Sequence, residues 1–131
     1  MNRQQKDYIL EWIQKAQEDK LTILRLIEPE IVAPTVICFH CQQMAEKYLK
    51  AYLIFHGKEI IKTHNIEFLL SQCAGIDPDF NHINPLNLSD FGVSVRYPGD
   101  QYIPSDKEVL EYKRIAFEIE HIVLLILQSV I

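Results

Sequence analysis

The sequence has few glycines and lacks the dipeptides that mark tight β-hairpins. Only four glycines occur among 131 residues, and no Asn-Gly or Asp-Gly pair is present. Long windows instead repeat apolar residues at spacings of three and four, the period of a helix that packs on one face. The sequence therefore predicts an all-α protein.

No apolar run is long enough to cross a bilayer. The longest, Ile122 to Leu127, has six residues, whereas a membrane helix needs about 18 or more. The first residues also lack the apolar stretch of a secretory signal. We therefore expect a cytoplasmic protein that makes no use of a membrane.

Several catalytic and cofactor motifs are also missing. The sequence contains no glycine-rich phosphate loop, no serine nucleophile with a partner histidine and no paired-carboxylate arrangement. Any phosphate contact must then come from side chains rather than from a cradle of backbone amides. We expect no cofactor.

Cysteine is scarce and its number is odd. With three cysteines and no export signal, a disulfide framework is not expected. Cys38 and Cys41 have the spacing of half a zinc site, but both fall on the apolar side of their predicted helix, and His40 falls on the polar side. We therefore expect buried structural thiols, including Cys73, and no metal.

The charge balance excludes one class of nucleic-acid binder. A net charge of −5 argues against binding by bulk attraction to phosphate, which requires a basic surplus. Between His40 and His64, however, four lysines face two glutamates, a local charge of +2 that leaves −7 for the remainder. This segment could take a small anionic ligand.

Two long helices are predicted in the first half of the chain. The first runs from Arg3 to Glu28, where Pro29 stops it. The second begins near Pro34 and ends before Gly57, a left-handed cap. Its apolar side steps by three and four through the residues Ile37, Cys41, Met44, Tyr48, Ala51 and Phe55.

The second half predicts shorter elements and one more long helix. A third helix opens near Thr63 or His64, with His64 and Glu67 three apart at its start, and ends at Gly75. A weaker segment from Phe80 to Phe91 is interrupted by Pro85. Ser105 and Glu108 form a capping box that opens the last helix, which continues to Val130. The fold predicted for residues 1–131 is a single antiparallel up-and-down helical bundle with three long helices and two short ones.

The polar side of the second helix is as regular as its apolar side. Its members His40, Gln43, Lys47 and Lys50 lie within about 80° of the helix circumference. Lysine ammonium groups offer donors to phosphate oxygens, and a histidine or an amide can orient a base or sugar. The pattern predicts a ligand face or a solvated face.

The last helix is apolar around its whole circumference from Ile122 to Leu127. A bundle of this size cannot easily bury such a segment alone, so we interpret it as a surface for homodimer formation. In the alternative interpretation, the shorter helices cover this end.

Three ordered segments resemble the HEPN domains (higher eukaryote and prokaryote nucleotide-binding), a family of small helical bundles. They are Cys38 to Ala51 (CFHCQQMAEKYLKA), Lys62 to Asn65 (KTHN) and Arg96 to Asp100 (RYPGD). Trp12, Ala16 and Asp19 in the first helix also stand where such domains usually place these residue types.

The resemblance implies one of two functions. Some members of the family are ribonucleases, often toxins of toxin–antitoxin pairs, that carry an arginine and a histidine with four to six residues between them. Others are non-catalytic partners of minimal nucleotidyltransferases. Arg114 and His121 have six residues between them, but Ile115 follows the arginine where the ribonucleases carry a polar residue. The alternating charges of their helix face also suit ordinary surface pairing.

The expected function is therefore that of a nucleotide- or RNA-binding accessory domain, partner of a separately encoded minimal nucleotidyltransferase. The alternatives are a metal-independent toxin endoribonuclease that uses Arg114 and His121, and an interaction module without a ligand. Arg96 and Tyr97 could add a guanidinium fork and a stacking ring. The complete predicted site is His40, Gln43, Lys47, Lys50, Lys62, His64, Arg96 and Tyr97.

Overall fold

The computed structural model describes residues 1–92, 99 and 102–129, and those residues form helices and turns with no strand. This confirms the all-α prediction. The four α-helices are α1 (Arg3–Ile27), α2 (Pro34–Phe55), α3 (Ile66–Ala74) and α4 (Asp106–Leu127), and two short 3-10 helices lie at Pro78–His82 and Leu88–Gly92.

The ends of the long helices follow the local sequence signals. The Ser105 hydroxyl accepts from the backbone N–H of Glu108, whose side chain accepts from the Ser105 N–H, so the predicted capping box is confirmed. Asn2 and Gln5 form a second capping box at the start of α1. Gly57 has φ of +75°, as predicted for the residue that ends α2.

The start of α3 differs from the prediction. Asn65, and not Thr63 or His64, is the N-cap residue, and its side chain accepts from the backbone N–H of Phe68 at 3.0 Å. The helix therefore begins at Ile66, two residues after the later of the two predicted positions, and His64 is not its cap. An asparagine is the stronger cap because its side-chain oxygen reaches the exposed amide without an imidazole's bulk.

The segment between α3 and α4 forms two 3-10 helices rather than one weak α-helix. Pro78 occupies the first turn of the earlier one, and Pro85 separates the two because its nitrogen cannot donate a hydrogen bond. Phe80, Leu88 and Phe91 are buried. Short turns thus place three large side chains in the core without a regular apolar face.

Helix α2 is the centre of the bundle. It packs against α1 and α4 over most of its length, and against α3 and the Leu88–Gly92 turn near its polar side. The contact of Asp19 with His40 and that of Trp12 with Lys50 show that α1 runs antiparallel to α2. Thirteen residues of α2 are buried, because neighbours cover it on three sides.

The apolar end of α4 is partly covered within the chain. Val123 and Leu127 are in the core, and Ile122, Leu124 and Ile126 pack partly against it, while Leu125 is 54% exposed. The bundle therefore buries two of these six residues fully by itself, and the homodimer surface stays a prediction. None of the described helices is long and apolar enough to span a membrane.

The three cysteines are buried free thiols, as predicted. Burial raises the pKa of Cys38 to about 12, with a smaller contribution from the nearby Glu108 carboxylate. Burial alone raises the pKa of Cys73 to about 12, and it also raises that of Cys41. The thiols are neutral at physiological pH and behave as small core side chains.

We predict that the native protein reacts very slowly with an aromatic disulfide reagent at pH 8, and that denaturant exposes three reactive thiols.

The folded-state pKa of Cys38 lies above its ordinary value of 9.0. Its contribution to stability is therefore complete below about pH 9 and is lost as the pH rises towards 12. Fast labelling of the native protein at pH 8 would contradict the burial of the thiols.

Candidate site on the polar face of the central helix

The polar side of α2 contacts α1 through Asp19 and the segment before α3 through His64. We call His40, Gln43, Lys47 and Lys50, together with His64 from the segment before α3, the α2 strip. Two buried carboxylates, Asp19 and Glu46, contact four of its five side chains.

The first carboxylate belongs to Asp19 of α1. Its Oδ1 lies 2.8 Å from Nδ1 of His40, and its Oδ2 accepts from Nζ of Lys47 at 2.7 Å. His40 and Lys47 lie two turns apart on α2, so one aspartate spans them from the neighbouring helix. The Asp19 side chain is almost fully buried, whereas those of His40 and Lys47 reach solvent in part.

The second carboxylate belongs to Glu46 of α2. Its Oε2 accepts from Nζ of Lys50, one turn away, at 3.0 Å, and its Oε1 lies 2.8 Å from Nδ1 of His64. Lys50 and Glu46 are both buried, whereas the His64 side chain is 70% exposed. The pair therefore connects the interior of the bundle to a histidine on its surface.

Gln42 completes the cluster around Glu46. Its Nε2 donates to Glu46 Oε1 at 3.1 Å and to the backbone oxygen of His64 at 2.9 Å, while its Oε1 accepts from Gln43. A Cβ added at Gly92 would lie only 3.0 Å from that same amide. The end of the Leu88–Gly92 turn thus packs directly on the cluster.

Lys50 differs from what the sequence predicted. Its ammonium group lies in the bundle, paired with Glu46 and 5.7 Å from the centre of the Trp12 ring. A buried lysine needs such partners because an uncompensated charge in the interior is costly. Lys50 is thus a buried ion-pair partner, and its role as a phosphate donor beside Lys47 stays a prediction.

A third buried carboxylate stabilises the opposite side of α2. Glu120 of α4 accepts from Nζ of Lys20 at 2.8 Å and from the Tyr48 hydroxyl at 2.8 Å. Burial, followed by this hydrogen bond, raises the pKa of Tyr48. The Glu120 side chain thus joins α1, α2 and α4. This network supports the fold and does not include residues of the α2 strip.

The remaining predicted residues lie in different places. Lys62 is exposed just before His64. Arg96 and Tyr97 lie outside the described residues, and the stretch that contains them begins directly after Gly92. The structure thus brings together His40, Gln43, Lys47, Lys50 and His64.

Arg114 and His121 lie on the outer face of α4. The Arg114 guanidinium is 60% exposed and donates to Glu118 at 3.1 Å, as the charge alternation predicted. His121 is exposed and lines a shallow groove with Phe117, Glu120, Leu124, Leu125 and Gln128. The arginine is thus engaged in the ordinary surface pair predicted from its helix face.

Two residues that organise the site were not chosen for it from the sequence, Glu46 and Asp19. Glu46 was visible only as a helical partner of Lys50. Asp19 occupies an apolar register position of α1, since Ala16 and Ile23 are buried before and after it. A carboxylate in such a register signals a buried partner, but the partner lies on another helix and cannot be read from spacing.

The pairing makes a prediction for stability. Glu46→Ala should lower the free energy of unfolding by about 3 kcal/mol, because it leaves the buried Lys50 ammonium without its carboxylate. Glu118→Ala removes the exposed partner of Arg114 and should cost about 0.5 kcal/mol or less. Urea unfolding of the two variants would test this, and equal costs would show that the Glu46 pair is no more important than a surface pair.

Comparison with protein families identifies the same architecture. The HEPN domain model matches residues 9–127, nearly all of the chain, and associates it with functions that involve nucleotides or RNA. Comparison with curated proteins gave no match, and comparison with solved structures gave none. Because the match includes the four helices and the α2 strip, the chain belongs to the HEPN domain family.

Proposed function

We propose that this chain is a non-catalytic accessory domain that binds a nucleotide or RNA at the α2 strip. In this proposal it works beside a separately encoded minimal nucleotidyltransferase in a toxin–antitoxin-like pair. The family supports a role that involves nucleotides or RNA, and the proposal assigns that role to the strip.

The observation that carries the proposal is the order of the strip. Buried Asp19 holds the imidazole of His40 and the ammonium of Lys47, and buried Glu46 holds the imidazole of His64. The other side of each of these three groups is partly or largely exposed to solvent. Groups fixed by buried partners lose little further entropy when a ligand binds. A purely solvated helix face would not require two buried carboxylates beneath it.

The proposed partner follows from what the chain itself lacks. The sequence has no glycine-rich loop and no paired carboxylates for nucleotide transfer. Chemistry on a bound nucleotide would therefore depend on a second protein. A nucleotidyltransferase of minimal size, encoded in the adjacent reading frame, would supply the missing catalytic groups.

The pairing of Arg114 favours the accessory role over the ribonuclease role. A catalytic arginine must turn its guanidinium towards the scissile phosphate, whereas Arg114 donates to Glu118 one turn away. Two exposed side chains on one helix also provide no water-excluding pocket for the chemistry. The ribonuclease alternative would require a second surface to complete the site.

We predict that a short single-stranded RNA binds with an affinity that falls as salt rises, since the contacts are charge-assisted. Lys47→Gln removes one such contact and should weaken binding about tenfold, the effect of losing about 1.4 kcal/mol. Arg96→Lys keeps the charge but removes the bidentate fork, and it should also weaken binding. Fluorescence anisotropy would measure all three affinities.

Lys107→Gln is the matched control, because Lys107 is an exposed lysine in the first turn of α4 and is not part of the α2 strip. This substitution should change the affinity less than twofold. Equal affinities for all variants would favour the interaction module without a ligand. Cleavage of the RNA by the native protein that disappears in His121→Ala would replace the accessory role by the endoribonuclease role.

The exposed part of α4 supports a homodimer as a further part of the proposal. Leu125 is exposed at the edge of the groove lined by Phe117, His121 and Leu124. Leu21 and Leu24 of α1 are also exposed large apolar residues. Exposed apolar side chains beside a groove are typical of a contact between proteins.

Leu125→Glu should weaken such a dimer by placing a charge in the contact. Sedimentation at micromolar concentration should show a dimer for the native chain and a shift towards monomer for the variant. Leu110→Glu, at an exposed leucine near the other end of α4, is the control. A native chain that is monomeric at micromolar concentration would contradict this proposal.

A further inference from the structure

The charges of the α2 strip cancel when its two imidazoles are neutral. Lys47 is matched by Asp19 and Lys50 by Glu46, and each ammonium group lies within 3.0 Å of its carboxylate. Two positive and two negative charges leave no surplus to attract a phosphate. The two lysines that suggested an anion site are therefore already neutralised by the fold.

The other charged groups described around the strip supply no positive surplus. His40 is contacted by Asp19 of α1, which also contacts Lys47 of α2. His64 is contacted by Glu46 of α2, which also contacts Lys50, and it is flanked in the chain by Lys62 and Glu67. Glu67 accepts from Ser89 at 2.7 Å. The Leu88–Gly92 turn adds one charged residue, Asp90, which is negative.

The orientation of the imidazoles decides what they can offer a ligand. In both rings Nδ1 faces a carboxylate, which accepts hydrogen bonds but cannot donate them when ionised, so Nδ1 must carry a proton. A neutral ring then presents Nε2 as an acceptor. Phosphate oxygens are acceptors as well, so a neutral ring cannot pair with them.

Protonation changes both the charge and the hydrogen bonding of the strip. An imidazolium keeps its Nδ1 donor to the carboxylate and gains an Nε2 donor for a phosphate oxygen. Among the side-chain types of the strip, imidazole is the one that ordinarily changes charge between pH 5 and 8. Within the α2 strip, only His40 and His64 can therefore supply positive charge that the fold has not already neutralised.

Resting on the proposed function, we infer that the α2 strip binds a ligand with a single phosphate group by taking up a proton at His40 or His64. The ligand is a nucleoside monophosphate or one residue of a single-stranded RNA. A triphosphate would bring at least three negative charges to a surface that gains at most two. Gln43, one turn from His40 on α2, and the half-buried ring of Phe39, which contacts the His40 ring, are available to the base or sugar.

The test measures affinity against pH at constant ionic strength, with adenosine monophosphate in one arm and a ten-residue single-stranded RNA in the other. We expect binding in either arm to be about tenfold weaker at pH 8 than at pH 6. If the monophosphate binds, whether or not the RNA also binds, the natural ligand is a free nucleotide. If only the RNA binds, the ligand is one nucleotide of an RNA strand. Titration calorimetry in two buffers of different ionisation enthalpy should show uptake of about one proton.

Substitutions distinguish the contribution of the histidines to binding from that of the lysines. His40→Gln with His64→Gln should remove the pH dependence, whereas His82→Gln, an exposed histidine elsewhere, should preserve it. Asp19→Asn leaves the charge of Lys47 unmatched, so it should strengthen binding at pH 8 severalfold, opposite in sign to Lys47→Gln. Circular dichroism would verify that each variant is folded.

The outcomes distinguish this inference from the function on which it rests. Binding that is independent of pH, or a pH dependence that persists in the double histidine variant, overturns proton uptake and leaves the accessory role in place. Tighter binding of adenosine triphosphate than of the monophosphate at pH 8 overturns the single-phosphate assignment. Absence of binding in both arms at every pH overturns the accessory role as well.

Discussion

The pairing of Asp19 with His40 and Lys47 is the interaction on which the arrangement of the site depends. It joins α1 to the polar side of α2 at the point where an apolar contact is impossible, because α2 carries basic side chains there. A carboxylate on α1 allows the two helices to approach without burying an unpaired charge. The same contacts fix the position of α1 along its axis relative to α2. If α1 shifted, another residue would face Lys47 and leave its ammonium group without a carboxylate.

The other buried carboxylates follow the same rule. Glu46 compensates Lys50 within α2, and Glu120 compensates Lys20 while it accepts from the Tyr48 hydroxyl. Apolar packing around α2 tolerates small shifts of a helix along its axis, but hydrogen bonds at 2.7 to 2.8 Å between helices do not. The core thus supplies most of the burial, and Asp19 and Glu120 specify how the long helices are aligned.

Much of the fold could be predicted from the sequence because its determinants are local. The period of apolar residues, Pro29, Gly57 and the Ser105 capping box place both ends of α1 and α2 and the start of α4 to within a residue or two. The end of α4, predicted at Val130, lies at Leu127, where no local signal marks it. The segment from Phe80 to Phe91 could not be predicted so well, because its buried aromatic residues follow no helical period. The contact of His64 with Glu46 of α2 could not be predicted either, because it joins two elements that spacing does not relate.

The site was less predictable, for a physical reason. Spacing on α2 correctly placed His40, Gln43 and Lys47 on one face, but whether a lysine on that face is free or neutralised depends on residues of other elements. The aspartate that pairs with Lys47 lies 28 positions away. A helical wheel drawn for α2 alone therefore counts the positive charges of the strip and omits a negative charge that α1 contributes.

That difference between counted and net charge determines what chemistry the strip can support. The carboxylates that stabilise the bundle also neutralise the ammonium groups that would attract an anion. The same ammonium group therefore cannot fully serve both an ion pair within the fold and a bound phosphate. The imidazoles avoid this competition, because each can bind its carboxylate through Nδ1 and still present its second nitrogen elsewhere. In a bundle whose polar face is supported by buried acids, the histidines are therefore the groups that can serve the fold and a ligand together.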